Sequence, residues 1–208
     1  VLTLLITITA CNQRERSNDN SAQGSLSNEI PYQYQTISIK CDSVYNKNIT
    51  IEMIPLSIQN SNEQYNYIFL VVKNQNGRNT EIFRDTIESS AQEVLFEDFN
   101  NDNVKDILVQ NFSDVRSNWT YYLYIVDQEI NSITNIKGFE NIKNPHYLPQ
   151  YDLIDNLVMS GRNWTSFYKI VGDSIKDYGI VIYDGVDENG KDTYEEDHKN
   201  AINKILKL

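Results

Sequence analysis

The chain has 208 residues, 40% of them apolar and 23% charged, and carries a net charge of −11. That length and balance suit a globular domain with a sizeable core and exclude a disordered chain. The acidic surplus repels phosphate backbones, which argues against nucleic acid as a partner, and it suits a cationic protein or a divalent metal.

Residues 1–11, VLTLLITITAC, form an apolar run that ends in a small residue and Cys11. The run is too short to span a bilayer and reads as the tail of a secretory signal. Ile8-Thr9-Ala10-Cys11 resembles the bacterial lipobox. The resemblance implies cleavage before Cys11, lipid on its thiol, and anchorage to a membrane of the bacterial cell envelope, on the periplasmic side of the outer membrane or at the cell surface. The other reading is an ordinary signal segment, or a first strand, with an incidental cysteine. Cys41 is the only other cysteine, so a lipidated Cys11 leaves no disulfide to support the fold. In TISIKCD, Cys41 is expected to occupy a strand position as a small hydrophobe.

Residues 12–30, NQRERSNDNSAQGSLSNEI, hold almost nothing to bury and are expected to form a flexible tether. From residue 31 to 208 the pattern predicts a single all-β domain. Strands are expected at 36–40, 49–54, 67–73, 81–87, 106–109, 120–126, 153–159, 166–171 and 178–183, with turn clusters between them. Tyr, Ile, Val, Thr and Phe dominate these runs, as a pleated and half-buried surface favours. Asn76-Gly77 lies between two of them and signals a tight hairpin. Asn-X-Thr sequences at Asn48, Asn118 and Asn163 are expected to be chance matches in a bacterial envelope protein.

Between Val94-Leu95-Phe96 and Ile107-Leu108-Val109 runs DFNNDNVKD. Side-chain oxygens fall at Asp98, Asn100, Asp102 and Asp106, and the carbonyl of Val104 completes a set of alternating positions. Such a loop can turn its oxygens toward one hard cation, and three carboxylates suit Ca²⁺ better than Mg²⁺. The competing reading is a wet turn, since Asn and Asp also populate turns on their own. Counting from Asp98 as position one, no Glu stands at position twelve, where Val109 sits, so this is not a helical calcium hand. The pattern is similar instead to the calcium hairpins of integrin-type FG-GAP propeller repeats, D-x-[DN]-x-D-x-x-x-D. That resemblance covers the loop and the following strand, and implies Ca²⁺ as the bound ion. Another acidic stretch, YDGVDENGKD, lacks the spacing and is expected to be a turn.

A faint internal repeat accompanies the loop. Arg116 precedes Asn118-Trp119-Thr120 and Arg162 precedes Asn163-Trp164-Thr165, an offset of 163 − 118 = 45 residues. Asp106-Ile-Leu-Val and Asp155-Asn-Leu-Val look like a second matched pair. A period near 45 is the size of one four-stranded propeller blade, and the length allows about four blades, or a partial propeller or meander. Trp119 and Trp164 are expected either to pack between blades or to stand on a binding rim, where Arg and Trp are favoured anchors. Ser160-Gly161-Arg162-Asn163-Trp164 is similar to the S-G-x-x-Y loop of periplasmic lysozyme inhibitors, with Trp164 in place of Tyr. The resemblance implies a hydroxyl and backbone donors offered to the catalytic carboxylates of a muramidase. It makes a basic cell-wall hydrolase one candidate partner, and a carbohydrate or peptidoglycan another.

The last segment, TYEEDHKNAINKILKL, predicts an amphipathic helix over 193–208. Thr193 and Glu196 have capping-box spacing, acids stand at the start and lysines at the end. Tyr194, Ala201, Ile202, Ile205 and Leu208 share one face, expected to cover an end of the sheet domain. His146 and His198 lie near no evident nucleophile, and no phosphate loop, zinc spacing or Ser–His–Asp order occurs. The chain is therefore expected to be a non-catalytic binding module.

Overall fold

The computed structural model describes residues 14–15, 36–41, 49–56, 66–90, 93–128, 132–186 and 188–208. Cys11, and all of residues 12–30 except Arg14–Glu15, lie outside them. Strands follow one another as β1 (Arg14–Glu15), β2 (Ile37–Cys41), β3 (Ile49–Pro55), β4 (Asn66–Gln75), β5 (Arg78–Glu88), β6 (Val94–Glu97), β7 (Asp106–Ser113), β8 (Trp119–Asp127), β9 (Ser132–Asn135), β10 (Pro145–Leu148), β11 (Leu153–Asn156), β12 (Trp164–Val171) and β13 (Ser174–Tyr183). A helix, α1 (Tyr194–Ile205), ends the chain.

Every sheet is an antiparallel meander in chain order. Strands β1 to β5 form the first, β6 to β9 the second, and β10 to β13 the third. Among the described residues there are thus three sheets, where the length alone allowed about four. The two-residue β1, within the segment read as a tether, pairs with β2. Asn76 and Gly77 both adopt positive φ, 53° and 76°, between the paired Gln75 and Arg78. This is the geometry for which a two-residue hairpin selects Asn-Gly.

The sheets stack face to face, because each strand alternates its side chains and each sheet has two faces to cover. Ile51, Met53, Phe69 and Val71 of the first sheet pack on Ile107, Val109, Tyr124 and Val126 of the second. The rings of Phe69 and Tyr124 stack with centroids 4.6 Å apart. The Tyr124 hydroxyl donates to Asp85 at 3.0 Å, so its polar tip is satisfied inside the seam. Leu108 and Leu123, from the other face of the second sheet, share a core with Phe139, Tyr147 and Ile154. Leu148, Leu153 and Phe167 of the third sheet are covered by Ala201, Ile202 and Ile205 of α1.

The helix takes the role its pattern predicts, with two differences at its ends. Thr193 stands at the N-cap without a side-chain cap bond. Its backbone carbonyl accepts from Asp197, and the first-turn amide of Tyr194 donates to Asp192 Oδ1 instead. Leu208 is 82% exposed because the helix stops at Ile205, before the apolar face reaches it.

The 45-residue repeat is structural. Trp119 and Trp164 each open the third strand of a four-stranded sheet. Four residues on, Leu123 faces Leu108 and Tyr168 faces Ile154 in the same register. By that register Ile154 corresponds to Leu108, so Asp155 corresponds to Val109. Asp106-Ile-Leu-Val and Asp155-Asn-Leu-Val, which look like a matched pair, are therefore three positions out of structural register.

Candidate functional site

The acidic loop joins β6 to β7 just beyond the last ladder pair, Glu97 with Asp106. Its side chains fold back on its own backbone. Asp98 Oδ1 accepts the amides of Asn100 and Asn101 at 3.2 and 2.6 Å, and Oδ2 accepts that of Asn103 at 2.9 Å. Asp102 accepts from Val104 at 2.7 Å, while the Asn100 side chain bonds both the amide and the carboxylate of Asp102. Asn101 and Asn103 take positive φ of 60° and 65°, which Asn tolerates better than bulkier residues. Asp106 is fully buried and accepts from Phe99 at 2.8 Å and Val126 at 2.9 Å. Burial pushes its pKa up to about 7 against those two hydrogen bonds, and the charges of Asp102 and Asp98 push in the same direction.

The five positions are therefore brought into one loop, and all the donor groups are oxygens, the chemistry a hard cation takes. The charges of Asp102 and Asp98 act on Asp106, and a bound cation would offset them. Among the described residues no three acidic, His or Cys side chains converge tightly enough to hold a metal as they stand.

Two further turns lie side by side at one edge of the second and third sheets. Asp114, at the β7–β8 turn, accepts from the amides of Arg116 and Asn118, from the Asn118 side chain, and from Lys143 Nζ at 2.9 Å. The Lys143 ammonium, followed by these amides, holds its carboxyl well below the usual range. Asn118 is 2% exposed. Its amide spans to the β11–β12 connection, donating to the Met159 carbonyl at 2.9 Å and accepting the Met159 amide at 2.7 Å. Asn144 completes the network through Asn118, the Trp119 amide and the Leu157 carbonyl. A glycan on Asn118 is incompatible with this clamp.

Arg116, Trp164, Ser160, Val115, Met159 and Lys143 line a shallow groove of about 360 Å³ between these turns. The structure thus brings Arg116, Ser160 and Trp164 together. Trp119 sits half-buried at the head of β8 beside them, bonded to Asn144 through its backbone. Arg162 points elsewhere. Its guanidinium lies 4.9 Å from the Tyr183 ring centroid, and Nε donates to the Asp184 carbonyl at 2.8 Å. Gly185 makes room for it, since a Cβ there would fall 2.9 Å from the guanidinium. Gly161 is exposed in the same turn. The Ser160 hydroxyl donates to the Arg162 carbonyl, so it is already engaged within its own turn.

The two histidines converge on Asp155, which the sequence reading missed. His146 Nδ1 lies 3.0 Å from Asp155 Oδ1 and His198 Nε2 lies 2.8 Å from Oδ2. Cross-strand pairing of His146 with Asp155 sets the first contact, and helix docking sets the second. An ionised carboxylate only accepts, so both ring nitrogens carry the proton.

Compared with known proteins, the chain matches no family model, no curated protein and no solved structure.

Proposed function

We propose that this chain is a non-catalytic binding module of the bacterial cell envelope. In this reading it is lipid-anchored through Cys11 and recognises a peptidoglycan hydrolase through the edge formed by the β7–β8 and β11–β12 turns. The three stacked meanders are then read as blades of a partial propeller. The observation that carries the reading is the Asn118 clamp. It locks two repeat-related turns into one rigid edge, and rigidity lowers the cost of ordering on binding. The net charge of −11 favours encounter with a basic enzyme.

In the same reading Asp98, Asn100, Asp102, the Val104 carbonyl and Asp106 hold Ca²⁺, which stiffens the hairpin between β6 and β7. No catalytic role is assigned to the His146–Asp155–His198 bridge, which is read as a structural link between the third sheet and α1.

The test is inhibition. Peptidoglycan turnover by purified c-, g- and i-type lysozymes is measured with the full chain added, in calcium and in chelator. Stoichiometric inhibition of one class supports the proposal. Unchanged turnover of all three, together with retention of the chain on insoluble peptidoglycan, replaces it with the glycan-binding reading.

A further inference from the structure

The turn 114–117 carries free groups that the neighbouring Ser160–Trp164 segment does not. Val115 is fully exposed at 102%, and Phe112 at 55%, Met159 at 45% and Leu157 at 38% surround the same clamp. Single exposed apolar residues are ordinary, whereas Val115 and Met159 line one groove, with Phe112 near the end of β7 and Leu157 on the connection that Asn144 bonds.

The charges are arranged to leave one cation unspent. The only acid of the turn, Asp114, is occupied by Lys143, by Asn118 and by the backbone of Arg116. That ion pair with Lys143 is locally neutral. No carboxylate lies within ion-pair distance of the Arg116 guanidinium among the described residues. A body of net charge −11 therefore presents, at the tip of a rigid turn, one exposed guanidinium beside one fully exposed Val. Arg162, the other cation of the repeat, is stacked on Tyr183 and bonded to Asp184.

We infer that Val115 and Arg116 form the contact tip of this edge, with Arg116 paired to a carboxylate in the cleft of the protein partner and Val115 seated on an apolar wall beside it. The inference rests on the hydrolase reading and relocates its contact from Ser160–Trp164 to the preceding repeat. Arginine is suited to the task because its planar fork meets a carboxylate with two parallel hydrogen bonds. The apolar neighbours exclude water around that pair, and exclusion of water is what makes an interfacial charge contact strong.

The experiment measures affinity for the c-, g- and i-type lysozymes by calorimetry, with wild type, Arg116→Glu, Val115→Asp, Arg162→Ala and Arg78→Glu. Arg78 is exposed at the β4–β5 hairpin of the first sheet and serves as a charge control. Arg116→Glu and Val115→Asp are expected to weaken binding at least roughly thirty-fold, the scale of an anchor residue. Arg162→Ala and Arg78→Glu are expected to change it less than about three-fold. Melting temperatures confirm that each variant is folded. Wild-type affinity in both tip variants overturns the inference while leaving the hydrolase reading intact, and loss in Arg162→Ala alone returns the contact to the later loop. Failure of wild type to bind any of the three lysozymes overturns the reading and the inference with it.

Discussion

His198 Nε2 lies 2.8 Å from Asp155 Oδ2, across the seam between α1 and the third sheet, and closes a bridge that begins at His146. The helix is thus held by a side-chain hydrogen bond to Asp155 as well as by its apolar face. The pKa of His146 is raised by its hydrogen bond to Asp155, against burial, with the charges of Asp155 and Glu97 adding to the rise. Burial works to raise Asp155, and the hydrogen bonds from His146 and His198 outweigh it and lower it.

The sign of the pH dependence follows from those directions. A histidine with a raised pKa stabilises the fold fully below its ordinary 6.5, and loses that contribution as pH climbs through the raised value. A lowered carboxylate contributes above its ordinary 3.8 and fails as pH falls through the lowered value. Both contributions coexist between about pH 4.5 and 6.5. The difference in melting temperature between wild type and His146→Gln should therefore be larger at pH 5.5 than at pH 8. Equal differences at the two pH values would remove the bridge as a source of stability.

Asp106 predicts a second dependence in calcium-free buffer. Its carboxyl is raised to about 7, so its stabilising contribution is complete below the ordinary 3.8 and lost as pH rises through about 7. Urea midpoints should fall between pH 6 and pH 8 in chelator, and the fall should be smaller in Asp106→Asn. An undiminished fall in the variant would assign the effect elsewhere.

Calcium should oppose that loss. At about a hundred times its dissociation constant the ion adds about 2.7 kcal/mol, or about 5–10 °C in melting temperature for a domain of this size. Asp98→Ala should abolish the shift, because Asp98 anchors three loop amides and is one of the ligands proposed for the ion. A melting temperature indifferent to millimolar calcium in wild type would exclude the ion from the loop.

Ile202→Ala should cost about 2–5 kcal/mol, since Ile202 is 4% exposed in the core shared by α1 and the third sheet. Lys204→Ala, on the exposed face, should stay within about 0.5 kcal/mol. Chemical denaturation distinguishes them. Similar costs for both would mean that the helix is not docked through its apolar face.

Asn118→Ala removes the bridge to Met159 and leaves part-buried partners unsatisfied, at a cost of about 1–3 kcal/mol. Its local signature is faster hydrogen exchange at the Met159 amide. Protection unchanged at that amide would show that the two turns hold together without Asn118.

Much of this architecture is written in local chemistry. Strand positions from residue 49 onward follow from alternating side chains, the hairpin at Asn76-Gly77 from positive φ, and α1 from its apolar spacing. Besides the two-residue β1 in the expected tether, the sequence pattern leaves out β9 and β10, which are four residues each, and β10 opens with Pro145, which reads as a break. The predicted strand at 153–159 ends at Asn156, because Asn118 and Asn144 draw Leu157 and Met159 into a connection. No local pattern announces that competition.

What the chain alone determined is the β class, the terminal helix, the repeat of Asn-Trp-Thr and the oxygen-bearing loop, all of which depend on neighbours within a few residues. The tertiary structure decided which groups are spent. Arg116 and Arg162 each precede a copy of Asn-Trp-Thr, yet one has no ion-pair partner among the described residues and the other is stacked on Tyr183. His146, Asp155 and His198 meet only because a strand ladder and a docked helix bring them together over separations of 9 and 43 residues. Hydrogen-bond partners of that kind are chosen by packing, and packing is a property of the folded whole.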